Sequence, residues 1–126
     1  ADLTEIGLTR ARADTIRGLS RALLDGRVDF RPERTLEDFT ARWVALPGIG
    51  PWTAHYVGLR ALGHPDAFPA DDLVLQKAVP TDGARMTAKA LTTRAESWRP
   101  WRAYAVIHVW KASMAAQKAM PSVGAT

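Results

Sequence analysis

The sequence contains no cysteine. That excludes disulfides, thiolate metal sites and a Cys-ligated iron–sulfur cluster. No run of about 18 apolar residues occurs, so no membrane-spanning helix is indicated. The first residues lack the basic-then-apolar order of a secretory signal. Alternating apolar and polar runs, the mark of a half-buried strand, are nearly missing. The three histidines, His55, His64 and His108, show no paired His/carboxylate spacing, and no transition-metal site is expected. Acidic residues are scarce in one half only. Residues 76–126 hold eight Lys/Arg against two Asp/Glu, a net of +6, whereas residues 1–75 hold nine against eleven, a net of −2. A basic C-terminal half suits a polyanion partner, although a solvated basic surface would show the same numbers.

What is present is helical. With 126 residues, 47% hydrophobic and 24% charged, the chain suffices for one compact domain with its own core. Leu3 and Ile6 read as the end of a helix stopped by Gly7. Thr9 caps a second helix through Ala13, Ile16, Ala22 and Leu23, with Gly26 past its end; Arg10, Arg12, Arg17 and Arg21 form its solvated face. An Arg-rich connector over residues 27–34, around Pro32, follows. Thr35 and Asp38 resemble a capping box, and Leu36, Phe39, Trp43 and Leu46 make a 3-4-3 apolar stripe. Further helices are expected from Pro51 to Leu62, from Asp71-Asp72 to Val79 before Pro80, near 84–98, and near 100–117 with Pro100 at its start. The fold class expected is all-α, a compact bundle of short helices over residues 1–117, with 118–126 a frayed tail.

Between the third and fourth of these helices stands Leu46-Pro47-Gly48-Ile49-Gly50-Pro51-Trp52-Thr53. Two glycines around one apolar residue allow a tight turn with φ > 0 where needed. Pro51 suits the first helical position, where a missing N–H costs nothing. The helix N-terminus left open is an anion site, and for a basic chain a phosphodiester is the natural anion. This is a helix-hairpin-helix pattern.

Asp72 lies 22 residues beyond Gly50, after one helix and one breaker-rich loop, His64 to Ala70. The chain can therefore return Asp71-Asp72 beside the hairpin. Two aspartates at a helix start also serve as ordinary caps and dipole partners. Trp52 and Tyr56 share one helix face at i, i+4, and Trp110 supplies a third aromatic. Such residues either fill a core or, beside a carboxylate, stack an electron-poor ring or an extruded base.

Together, Leu46-Pro47-Gly48-Ile49-Gly50, Trp52-Thr53-Ala54, Tyr56, Phe68-Pro69-Ala70-Asp71-Asp72, and Trp98-Arg99-Pro100-Trp101-Arg102 with Tyr104-Ala105 and His108-Val109-Trp110 resemble the helix-hairpin-helix DNA glycosylases. The subfamily most resembled excises alkylated purines, the 3-methyladenine DNA glycosylase II type. The resemblance runs from about residue 3 to residue 111. It implies that Asp72 is the catalytic aspartate, with Asp71 its capping neighbour. It implies that Trp52, Tyr56 and Trp110 line the base pocket, with Leu73 and Lys111 at its edge. It also implies that Pro47, Gly48, Ile49, Gly50 and Thr53 hold the DNA backbone. Hairpin carbonyls in the family can hold a monovalent cation that bridges to phosphate; no other cofactor is implied.

Family members that also cut the strand carry a lysine where this chain has Trp52. An indole cannot form the Schiff base that the amine forms, so a monofunctional glycosylase without a lyase step is implied. The expected partner is double-stranded DNA containing alkylated bases, engaged by a monomer in the cytoplasm of a bacterial-type cell, at the nucleoid. The resemblance further implies helices before Ala1 and an N-terminal β-containing domain. A fusion to an alkyl-transfer, transcription-regulating module is one such arrangement. The alternative reading is a non-enzymatic helix-hairpin-helix DNA-binding module, which explains Gly48 to Gly50 but gives no reason for Asp72 beside three aromatics. A purely structural helical domain would leave both features as coincidence.

Overall fold

The structure, a computed structural model, describes residues 2–31, 35–79 and 82–119. Among them are six α-helices and no strand: α1 Arg10–Leu24, α2 Leu36–Val44, α3 Pro51–Arg60, α4 Leu73–Ala78, α5 Ala88–Ala95 and α6 Arg102–Ala119, with a 3-10 turn at Glu96–Trp98 between the last two. None of these helices is long and apolar enough to cross a membrane.

Side-chain caps set the starts. Thr9, Thr35, Asp72 and Thr87 each accept a backbone N–H three residues on, opening α1, α2, α4 and α5. Each such cap is worth about 1 kcal/mol relative to alanine. Gly26 and Gly63, at φ +69 and +61, lie just past α1 and α3, in the left-handed region that suits glycine.

Two buried clusters hold the bundle. Phe39 and Trp43 of α2, with Leu46 just past its end, pack with Ala22, Val28, Ile49 and Ala54, so the hairpin's own Ile49 is an anchor in the core. The second cluster joins Leu36, Leu59, Phe68, Leu75, Leu91 and Val106, bringing α3, α4, α5 and α6 around the loop that carries Phe68. Full burial of one such side chain contributes roughly 1.5–3 kcal/mol. The loop between α3 and α4 is therefore interior.

Several boundaries differ from the sequence expectation. Residues 3–7 form turns, with Gly7 N–H donating to Thr4 O at 3.0 Å, and Ile6 is 75% exposed. Without burial for Leu3 and Ile6 together, the apolar spacing there supports no helix. Ile16, expected on the inner face of α1, is half-exposed. The helix expected near 84–98 begins only at Ala88, because Gly83 turns at φ +88 and Thr87 caps the amide of Ala90. Pro100 stands outside α6, where Trp101 N–H closes a turn onto Trp98 O at 2.8 Å. Lys118 and Ala119, assigned to the tail, continue α6. Pro32, Pro80 and residues 120–126 lie outside the described residues.

Candidate active site

The hairpin turns at Gly48, whose φ is +83, and Ile49 N–H closes the turn on Leu46 O at 3.1 Å. Gly50 is different: at φ −92 and ψ 174 it is extended backbone and the N-cap of α3. Pro51 follows inside α3, and no side chain caps that end. Pro47, Gly48, Gly50, Pro51 and Trp52 are exposed. An uncapped N-terminus, set on a turn whose Ile49 is buried, presents fixed donors to an outside anion. Thr53 sits half-buried in the first turn.

Asp72 returns beside this end of α3. Its Oδ2 accepts the Trp52 indole N–H at 3.1 Å, and its Oδ1 accepts the Trp110 indole N–H at 3.3 Å. The same Oδ1 accepts Leu75 N–H at 2.9 Å, which makes Asp72 itself the N-cap of α4. The capping role expected of Asp71 thus belongs to Asp72, and Asp71 is exposed. An ionised carboxylate offers about four acceptor positions. Three are filled by N–H donors from α3, α4 and α6, and the fourth, on Oδ2, takes no donor among the described residues.

The aromatic residues meet as expected. Trp52 stacks on Tyr56 with ring centroids 5.0 Å apart and 19° between planes, and Tyr56 meets Trp110 at 6.0 Å. They line a cleft of about 470 Å³ together with Asp72, Val74, Ile107 and Met114, with Arg60 and Lys111 also on its wall. This size falls within the range of small-molecule sites. Leu73 does not line this cleft; it is 55% exposed and borders a neighbouring depression with Trp52, Asp71, Asp72 and Val74. The reading of these aromatics as core is overturned for Trp52, which is 38% exposed.

Three supports of the site went unread in the sequence. Asp66, in the interior loop, receives Arg102 Nε at 2.7 Å and its Nη2 at 2.8 Å, a two-pronged buried pair, and Arg99 joins it from the side. Burial works against the Asp66 charge, but the hydrogen bonds and charges of Arg102 and Arg99 outweigh it and hold the carboxyl below its ordinary value. Arg102 also lies over the Phe68 ring, 5.8 Å from its centroid. Gln76 donates through Nε2 to Ala70 O at 2.9 Å. His55 Nδ1 accepts Phe68 N–H at 3.2 Å, and burial, then the Arg102 charge, push its imidazole pKa down against Asp71, Glu37 and Asp66. Only Arg102 left a sequence signal, since it falls on the inward stripe of α6 four residues before Val106.

The fold around this carboxylate is shared with a crystal structure of a DNA-3-methyladenine glycosidase from Bacillus halodurans. The TM-score is 0.80 at 25% identity, over 94% of this chain and 58% of that one. In sequence, the chain is 33% identical over 108 residues to DNA-3-methyladenine glycosylase 2 of Escherichia coli, across 86% of this chain and 37% of that protein. It is 39% identical over 109 residues to a Mycobacterium tuberculosis protein named "Probable bifunctional transcriptional activator/DNA repair enzyme AlkA", across 86% of this chain and 22% of that protein. Over 86% of its length the chain is homologous to part of these relatives, which supports the resemblance to the helix-hairpin-helix DNA glycosylase superfamily. No protein-family model matches it. It spans well under half the length of these two curated relatives. Within the superfamily's hairpin, only one of this chain's two glycines, Gly48, takes a left-handed conformation.

Proposed function

We propose that this chain carries the catalytic site of a monofunctional DNA glycosylase that hydrolyses the N-glycosidic bond of extruded alkylated purines, of the 3-methyladenine type. The observation that carries the reading is the Asp72 carboxylate, gripped by the Trp52 and Trp110 indoles at the wall of an aromatic cleft. An alkylated purine bearing positive charge is already a good leaving group, so the site needs little acid catalysis. Its aromatic rings replace the stacking that the base gives up on leaving the duplex. Asp72, fixed by three donors, stabilises the oxocarbenium-like sugar as the base departs and orients a water through the free position on Oδ2. The C1′–N bond breaks and the base leaves with the bonding pair, then water adds its oxygen to C1′ and gives up one proton to the Asp72 carboxylate and on to solvent. With Trp52 in place of an amine, no Schiff base forms and the strand is not cut.

The uncapped start of α3, with Pro47, Gly48, Ile49, Gly50 and Thr53 around it, grips phosphate on the damaged strand of double-stranded DNA, positioning without reading sequence. The exposed backbone of this turn offers hard oxygen donors, and these fit a monovalent cation bridging to that phosphate. The enzyme works as a monomer on nucleoid DNA.

The test is incubation of the chain, and of the longer gene product, with alkylated DNA, followed by assay of free base and abasic sites. Asp72→Asn keeps the cap through Oδ1 and nearly the same size, removes the charge, and sets an amide NH2 where Oδ2 accepted the Trp52 indole N–H. Its excision is expected to fall by at least about 10²–10³-fold, the scale of losing one preorganised electrostatic partner, with DNA affinity retained. Excision by Asp72→Asn at the parent rate, or DNA binding without base release by the parent, overturns the reading.

A further inference from the structure

We infer that His55 is a positioning residue for Asp72, pinning the interior loop to α3 through the hydrogen bond from Phe68 N–H to its Nδ1. The inference rests on the reading of Asp72 as the catalytic carboxylate.

An amide N–H can only donate, so the 3.2 Å contact fixes Nδ1 as the acceptor, and the neutral ring carries its proton on Nε2. From Phe68 to Asp72 the chain has little freedom. Phe68 and Pro69 are buried. Ala70 N–H donates to Phe68 O at 3.0 Å and Asp72 N–H to Pro69 O at 2.9 Å. Gln76 holds Ala70 O from α4. A shift at Phe68 therefore arrives at Asp72. Helix α3 ties this short loop at both ends, with His55 at Phe68 and, three residues earlier, Trp52 at Asp72. The donors on Asp72 itself, Trp52, Trp110 and Leu75, direct the carboxylate, and the His55 tie fixes the loop that carries it to them.

Protonating Nδ1 turns the acceptor into a donor facing another donor, and the tie at Phe68 is lost. The proton has a route, since His55 lines a cavity of about 400 Å³ on the side of α3 that Trp52 also borders. The charges around the ring are Glu37 from α2, Asp66 and Asp71 from the loop, and Arg102 from α6; Lys89 of α5 and Arg99 line the same cavity. Burial and Arg102 favour the neutral ring, and the three carboxylates oppose them. The tie thus holds at neutral pH and opens on acidification.

The experiment follows the indole N–H signals of Trp52 and Trp110 by ¹H–¹⁵N NMR across pH, since both protons lie on Asp72. In the parent protein these signals are expected to move with the midpoint of the His55 ring titration. His55→Asn, whose Oδ1 takes the place of Nδ1 without titrating, is expected to flatten that response and to retain the neutral-pH indole signals. His55→Phe, which has no acceptor, is expected to displace them at every pH. On alkylated DNA, His55→Phe should lower kcat on the order of 10- to 100-fold with KM little changed. His55→Asn should restore the rate and remove the part of its fall on acidification that follows the His55 titration. Indole signals that ignore the His55 titration in the folded parent, or His55→Phe with parent-like indole signals, overturn the inference. If the NMR coupling holds while no DNA substrate loses a base, the positioning stands and the glycosylase reading falls.

Discussion

Replacing Gly48 by alanine would set a Cβ 2.0 Å from Thr15 Oγ1 and 3.0 Å from both Thr15 Cβ and Cγ2. Rotating Thr15 does not relieve the clash. Its hydroxyl would lose the bond to Ala11 O at 3.0 Å, and its Cβ, 3.0 Å from the new atom, does not move with the rotamer. The alanine must also occupy φ +83, which costs an L-residue about 1–2 kcal/mol. Overpacking adds roughly 1–3 kcal/mol, so the expected loss is about 2–5 kcal/mol. That is a large share of a stability on the order of 5–15 kcal/mol. Gly50→Ala is the internal control. Nothing lies within 4 Å of its Cβ position, and its φ is ordinary. There the poorer N-cap, worth about 0.5–1 kcal/mol, is offset by the lower entropy of the unfolded chain, about 0.4–1 kcal/mol. Urea unfolding followed by tryptophan fluorescence reads both, because Trp43 is buried in the cluster that includes Ile49. Equal midpoints for Gly48→Ala and the parent, or a larger loss for Gly50→Ala, would refute this account of the turn.

Two further outcomes follow from the supports of the site. Asp66→Ala leaves the buried Arg102 guanidinium with only the longer Glu96 contact, at 3.6 Å, and is expected to cost about 3–5 kcal/mol, measured as the shift in denaturation midpoint. Because the folded Asp66 carboxyl lies below its ordinary 3.8, its contribution is full above that value and fades as pH falls through the folded value. Parent and Asp66→Ala should thus converge in acid, and a gap that stays constant below pH ~3.8 contradicts the pairing. Trp110→Phe keeps a ring in the cleft and removes one donor from Asp72. A stability change near 0.5–1.5 kcal/mol with a clear fall in excision rate is expected, and parent-like excision would show that its 3.3 Å bond does not orient the carboxylate.

Much of this fold was legible because its signals are local. Thr9, Thr35 and the 3-4-3 stripe of α2 each act within a few residues of themselves, and the structure places them as read. Leu3 and Ile6 carry a similar spacing yet form turns, because spacing yields a helix only where a neighbour covers it. In the site, the meeting of Trp52 with Asp72 was readable from a hairpin followed by one helix of the right length. The hydrogen bonds that define it were not, since an indole on a helix can turn its N–H to solvent as easily as to a carboxylate. Asp66 and Arg102 are 36 residues apart, and a pair so distant announces itself only through an arginine on an apolar stripe. His55 shows in the sequence only as a histidine without metal-ligand spacing, because its partner is a backbone amide and a backbone amide has no sequence signature.

Asp72 both caps α4 and faces the cleft. In many enzymes the reactive group strains the scaffold that carries it, and removing that group firms the fold. Here the two demands fall on one side chain and pull the same way. On the proposed function, drift to alanine or leucine would loosen a helix as well as silence the chemistry, so protein quality control and DNA damage would act against the same variants. The substitutions that keep a cap, asparagine, serine and threonine, are the routes by which such a chain could lose its activity and remain folded. In a collection of related sequences, one of these at the position of Asp72, with the hairpin intact, would on the proposed function mark a lineage that has kept the grip on DNA and lost base excision.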